Sequence, residues 1–195
     1  QLVRRASAAG FEALLVTVDG AVAGNREYNR RNGFSVPFKY NSKNTMDVLM
    51  HPRWMFGVLG RYIASGGMPQ RVNFPAELQG KITTAYGGNK ETRADSLSWD
   101  DLKALRDIWP GKLLVKGLLH PDDASKSLEY GADGIIVSNH GGRNCDAAPA
   151  PIEVLPEIVK AVGDRTTVLF DSGVRRGSDV VKALALGAKM VLIGR

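Results

Sequence analysis

GADGIIVSNHGGR, Gly131–Arg143, joins an apolar run to a cluster of polar and glycine residues. Its first half carries an apolar, β-branched run, GIIV, which is too short for a helix and predicts a buried strand. Its second half places Ser138, His140, two glycines and Arg143 directly after that strand. Glycines let the backbone turn and approach a neighbour closely, while a histidine can move a proton and an arginine can hold an anion. Polar chemistry at the carboxyl end of a buried strand is the pattern of parallel α/β sheets.

The same arrangement repeats on both sides. Upstream, QLVRRASAAG predicts a helix closed by Gly10, and ALLVTVD (13–19) predicts a strand. A helix over 98–108, capped by Ser98, leads to the strand KLLVK, and a helix over 121–130 leads to GIIVS. Downstream, a helix over 151–162 precedes TTVLFD, and one over 177–186 precedes KMVLIG. This alternation implies βαβ units and a parallel sheet covered on both faces. Asp19, Lys116, Ser138 with His140, Asp171, and Gly194 with Arg195 all fall at carboxyl ends of strands, which favours an α/β (β/α)8 TIM barrel. Only five strands are legible where a barrel needs eight, and the first residue is Gln1. The expectation is an incomplete barrel, roughly strands 4 to 8: residues 1–195 as the C-terminal part of one domain, with a long irregular insertion at about 20–96.

The totals fit one folded domain. The chain has 195 residues, 44% of them hydrophobic and 24% charged, and its 22 glycines against 9 prolines indicate turns rather than disorder. Its single cysteine, Cys145, excludes an internal disulfide and a cysteine-based zinc cage, so no metal site is expected. The net charge of +6 is scattered, without the basic runs and interleaved aromatics that track nucleic acid, so nucleic acid is not an expected partner. An anionic ligand or an acidic membrane surface is the better use for that charge. No apolar run reaches the length of a membrane span, and the amino end lacks a signal-peptide layout.

Several pieces together resemble the FMN-dependent 2-hydroxy acid oxidase and dehydrogenase family. They are TVD (17–19), NRE (25–27), LLVKG (113–117), GADGIIVSNHGGR (131–143), DSGVRRGSDVVKALALGA (171–188) and VLIGR (191–195). DGAVAGNRE, HPRW (51–54) and ALALGA resemble in particular the (S)-mandelate dehydrogenase and membrane-associated L-lactate dehydrogenase branch. After HGGR the usual family sequence is Gln-Leu-Asp, whereas this chain has Asn144-Cys145-Asp146.

The resemblance implies FMN as cofactor and a small 2-hydroxy acid as substrate. It implies His140 as the base, Arg143 as anchor for the substrate carboxylate, and Arg26 as a second arginine near the substrate. Asp19 would stabilise the imidazolium of His140, and Thr17 would reach a flavin edge. Lys116 and Ser138 would contact the pyrimidine end of the flavin. Asp171, Gly173, Arg175, Gly194 and Arg195 would hold its ribityl chain and phosphate. The chemistry is apt: a 2-hydroxy acid needs an anchor for its carboxylate and a base for the proton it loses.

The long insertion bears on the electron acceptor. MFGVLGRYIA (55–64) is apolar with one arginine, a composition suited to a membrane interface or to a buried cover over the barrel mouth. The expectation is a cytoplasmic homo-oligomer, either peripheral on the inner face of the cell membrane, with quinone and anionic lipid as partners, or soluble and using oxygen. A binding fragment without activity is the rival from another class, and a flavin-barrel isomerase or phosphosugar enzyme leaves His140 with Arg143 unexplained.

Overall fold

The computed structural model describes residues 1–20, 24, 27–35, 38–74, 79–82 and 97–194. In chain order its elements begin with helix α1 (Leu2–Ala8), strand β1 (Ala13–Thr17), α2 (Glu27–Arg31) and α3 (Ser42–Met50). Helices α4 (Pro52–Trp54) and α5 (Arg61–Ala64) flank a π-helix, Met55–Gly60. There follow α6 (Trp99–Ile108), β2 (Lys112–Leu118), α7 (Pro121–Glu129), β3 (Gly134–Val137), α8 (Pro151–Val162), β4 (Thr167–Phe170), α9 (Gly177–Ala185) and β5 (Met190–Val191). They form two compact units, Gln1–Asn25 with Arg93–Arg195, and Arg26–Thr92.

In the first unit the five strands pair in parallel in the order β1-β2-β3-β4-β5. An open doubly wound sheet reverses its strand order at a switch point, whereas a barrel runs consecutively, so this sheet has the order of a barrel arc. Local signals set the helix ends. Gly10 closes α1 with a φ of 77°, and Ser98 starts α6 by exchanging bonds with Asp101 in a capping box.

The core lies on one face of the sheet. Leu113 and Val115 of β2, Ile135 and Val137 of β3, and Val168 and Phe170 of β4 pack with Leu155, Ile158 and Val162 of α8 and with Trp109. A strand's side chains alternate between faces. The opposite face therefore carries Thr17, Leu114, Ile136 and Leu169, then Lys116, Ser138 and Asp171 at the carboxyl ends. Thr17, Lys116, Ile136, Leu169 and Met190 stand at one level across the sheet, with Ser138 and Asp171 two residues further along their own chains. One irregularity matters. The β2–β3 register shifts between Lys116 and Leu118, where Gly117 takes a φ of 103°.

The second unit differs from the irregular insertion that its sequence predicts. It holds α2, α3 and a continuous helical stretch over 52–64. The start of α3 is fixed locally: Asn41 and Asn44 bond reciprocally, side chain to backbone N–H, at 2.8 and 3.0 Å. Many apolar side chains of these helices are exposed, Phe56 at 70% and Ile63 at 66% among them. Among the described residues no helix is long and apolar enough to cross a membrane.

Candidate active site

Strand β1 ends at Thr17, and two residues later Asp19 turns back over the bulge in β2. Gly117 is required there, because a Cβ at that position would lie 2.7 Å from both Cβ and Cγ of Asp19. Strand β3 ends at Val137, and the chain then makes one 3-10 turn, His140–Gly142, whose Gly141 and Gly142 N–H groups are held by the side chain of Asn139. His140 takes a left-handed φ of 59°. A non-glycine residue held in that region is strained, and such strain persists where the surroundings fix it.

These two turns meet. His140 Nδ1 lies 2.9 Å from Asp19 Oδ1, with the imidazole 39% exposed and the carboxylate 12% exposed. A carboxylate only accepts, so Nδ1 donates the hydrogen in this contact and Nε2 is the ring nitrogen left for another partner. The other carboxylate oxygen, Oδ2, is buried and without a hydrogen-bond partner among the described residues. Asn144 donates from its amide to the Asp19 main-chain oxygen at 2.9 Å, and a Cβ on Gly24 would collide with the Arg143 carbonyl. The segment 140–144 is thus clamped to the chain that follows β1.

A second cluster stands beside it. Lys116 Nζ pairs with Asp171 Oδ2 at 2.9 Å and donates to Ser138 Oγ at 2.7 Å. Ser172 donates to Asp171 Oδ1 at 2.8 Å and accepts the Gly141 N–H at 3.0 Å. Burial pushes the Asp171 carboxyl up, but the hydrogen bonds from Ser138, Lys116 and Ser172, with the charge of Lys116, outweigh it and hold the group below its ordinary range. Lys116, His140, Arg143, Asp171, Gly173, Arg175 and Gly194 line one half-open cleft of about 470 Å³. The backbone at Gly141, Gly173 and Gly194 faces open space there, and Asp179 fixes the turn before α9 by accepting from the Arg175 and Arg176 N–H groups.

Of the residues that the sequence nominates, His140, Asp19, Lys116, Ser138 and Asp171 are joined by contacts, and Arg143, Gly173, Arg175 and Gly194 line the cleft with them. Thr17 stands level with Lys116 on the neighbouring strand. Arg26 and Arg195 lie outside the described residues. Sequence reasoning missed Ser172, Asn144 and Gly117. Only the glycine left a local sign, since it interrupts an apolar strand.

The cleft suits FMN by the chemistry of its donors. A fixed ammonium and a hydroxyl, arginines, open glycine backbone and a histidine gather in or beside one cleft. The comparisons agree. The family model described as FMN-dependent dehydrogenase matches residues 1–195. The chain is 44% identical over 194 residues to (S)-mandelate dehydrogenase of Pseudomonas putida, covering 100% of this chain and 48% of that protein. It is 43% identical over 199 residues to L-lactate dehydrogenase of Caulobacter vibrioides, covering 100% of this chain and 50% of the relative. It is 42% identical over 200 residues to 2-hydroxyacid oxidase 1 of Mus musculus, covering 100% of this chain and 47% of the relative. The crystal structure of the monotopic membrane protein (S)-mandelate dehydrogenase superposes with a TM-score of 0.82 at 43% identity, over 99% of this chain and 50% of that one. The chain thus spans about half the length of these relatives, and its five-stranded sheet is part of a TIM barrel. It belongs to the FMN-dependent dehydrogenase family.

Proposed function

We propose that residues 1–195 form the C-terminal part of one barrel domain, with 20–96 as an insertion, and that the whole protein oxidises an (S)-2-hydroxy acid, mandelate-like or lactate-like, to the 2-oxo acid. The observation that carries this reading is the 2.9 Å contact of His140 Nδ1 with Asp19 Oδ1, on a cleft shared with Arg143 and Lys116.

Arg143 binds the substrate carboxylate and so presents the hydroxyl-bearing carbon to His140, with Arg26 assisting. His140 Nε2 takes the proton, and Asp19 compensates the imidazolium that results. The Oδ2 of Asp19, buried and without a hydrogen-bond partner among the described residues, leaves the carboxylate's charge to compensate a proton gained by the ring. FMN, when bound, supplies the acceptor for the two electrons. Thr17, Lys116 and Ser138 would hold its ring, where the charge of Lys116 would favour electron uptake. Asp171, Gly173, Arg175, Gly194 and Arg195 would hold the ribityl chain and phosphate.

For the acceptor, the exposed apolar side chains of 42–64 favour membrane quinone over oxygen, with attachment to anionic lipid on the inner face of the cell membrane. The test of the reaction is product analysis. The full-length protein, purified with its flavin and given (S)-mandelate or L-lactate with a quinone, should release the matching 2-oxo acid. Release of none from a panel of 2-hydroxy acids by flavin-loaded protein would contradict it.

A further inference from the structure

Ser172 holds a left-handed backbone, φ 80°, which side chains rarely adopt and glycine adopts freely. Of the cleft residues with the same sign, Gly141 and Gly173 are glycines, and the other non-glycine among the described residues is His140 itself. The hydroxyl explains a serine at such a position. It has one hydrogen and two lone pairs. The hydrogen goes to Asp171 Oδ1 at 2.8 Å, since a carboxylate only accepts, and a lone pair takes the Gly141 N–H at 3.0 Å. Ser138 Oγ, which already accepts from Lys116 Nζ and from the His140 N–H, lies 3.4 Å away. One hydroxyl therefore touches both halves of the site.

We propose that Ser172 is a positioning residue that couples Lys116 to the His140 turn, sharing the negative charge of Asp171 with the ammonium on one side and pinning Gly141 on the other. Without the hydroxyl, Asp171 turns more of its charge on Lys116, which then offers less positive charge to the cleft. The His140 turn loses a tether in the same step. The inference rests on the FMN reading above.

The test compares S172G with S172A in the full-length protein. Glycine removes the hydroxyl and the backbone strain together, whereas alanine removes the hydroxyl and keeps the strain. Both variants should make two-electron reduction of the bound FMN roughly tenfold less favourable, the scale of one charge-assisted hydrogen bond, which is a midpoint lower by about 30 mV. Both should shift the ring-nitrogen NMR signals of His140 in the protein as isolated. Only S172A should also lose thermal stability clearly, because S172G recovers the strain. A folded S172G with the wild-type value for either the potential or the His140 signals overturns the coupling. A wild-type protein that holds no FMN contradicts the functional reading instead, and the His140 signals then decide the role of Ser172.

Discussion

Asp19 and His140 stand 121 positions apart in the chain, yet the carboxylate of one lies 2.9 Å from the imidazole of the other. Two turns at neighbouring strand ends make this contact, and it fixes which ring nitrogen is available to a substrate. Asp19→Asn keeps the shape but can donate as well as accept, so the imidazole is no longer held in one tautomer. Turnover should fall roughly 10²–10⁴-fold, the usual contribution of a positioned base, with FMN still bound. Steady-state rates with the flavin content of each preparation check it.

Gly117→Ala should displace Asp19 without touching substrate. The added methyl meets Asp19 at 2.7 Å, and the backbone φ of 103° is unfavourable for alanine. A stability loss of about 1–3 kcal/mol by urea unfolding is expected from the strained backbone. The His140 nitrogen signals should shift with it. Gly10→Ala, at the end of α1 where a Cβ meets open space and φ is 77°, carries backbone strain alone and should leave those signals at wild type.

The lowered carboxyl of Asp171 sets an acid limit on stability. A group lowered in the folded state contributes stability that is fully present above the ordinary carboxylate value, near pH 4, and is lost as pH falls through the lowered value. The stability gap between wild type and Asp171→Asn should therefore be constant at neutral pH and narrow below about pH 4. Urea unfolding across that range measures it.

Much of this was legible in the sequence, and the limits have physical causes. The strands of the barrel arc are short apolar runs ending in polar residues, so their positions and the end that carries chemistry follow from pattern alone. Helices over 42–64 escaped because their apolar residues stay exposed, which blurs the amphipathic period, and because Asn41 looks like any loop asparagine. The pairing of Asp19 with His140 was legible only through family resemblance, since no local pattern spans such a separation. Ser172 was not legible at all: its role depends on a left-handed backbone and on a partner N–H from the turn after another strand.

The exposed apolar side chains of the helical stretch 52–64 lead to a membrane prediction. Full-length protein should sediment with anionic phospholipid vesicles at low salt and be partly released as salt rises, because screening weakens the basic contribution while apolar insertion persists. Replacing Phe56 and Ile63, 70% and 66% exposed, with serine should leave the protein in the supernatant with its flavin retained. Wild-type protein that never sediments would point to a soluble oxidase using oxygen.

The role of His140 is decided by anaerobic mixing of full-length, FMN-loaded protein with (S)-mandelate or L-lactate, followed in the visible flavin bands, for wild type and His140→Gln. Wild type should bleach, whereas the variant should keep its FMN and its yellow colour and bleach roughly 10²–10⁴-fold more slowly. Bleaching of His140→Gln at the wild-type rate would contradict it.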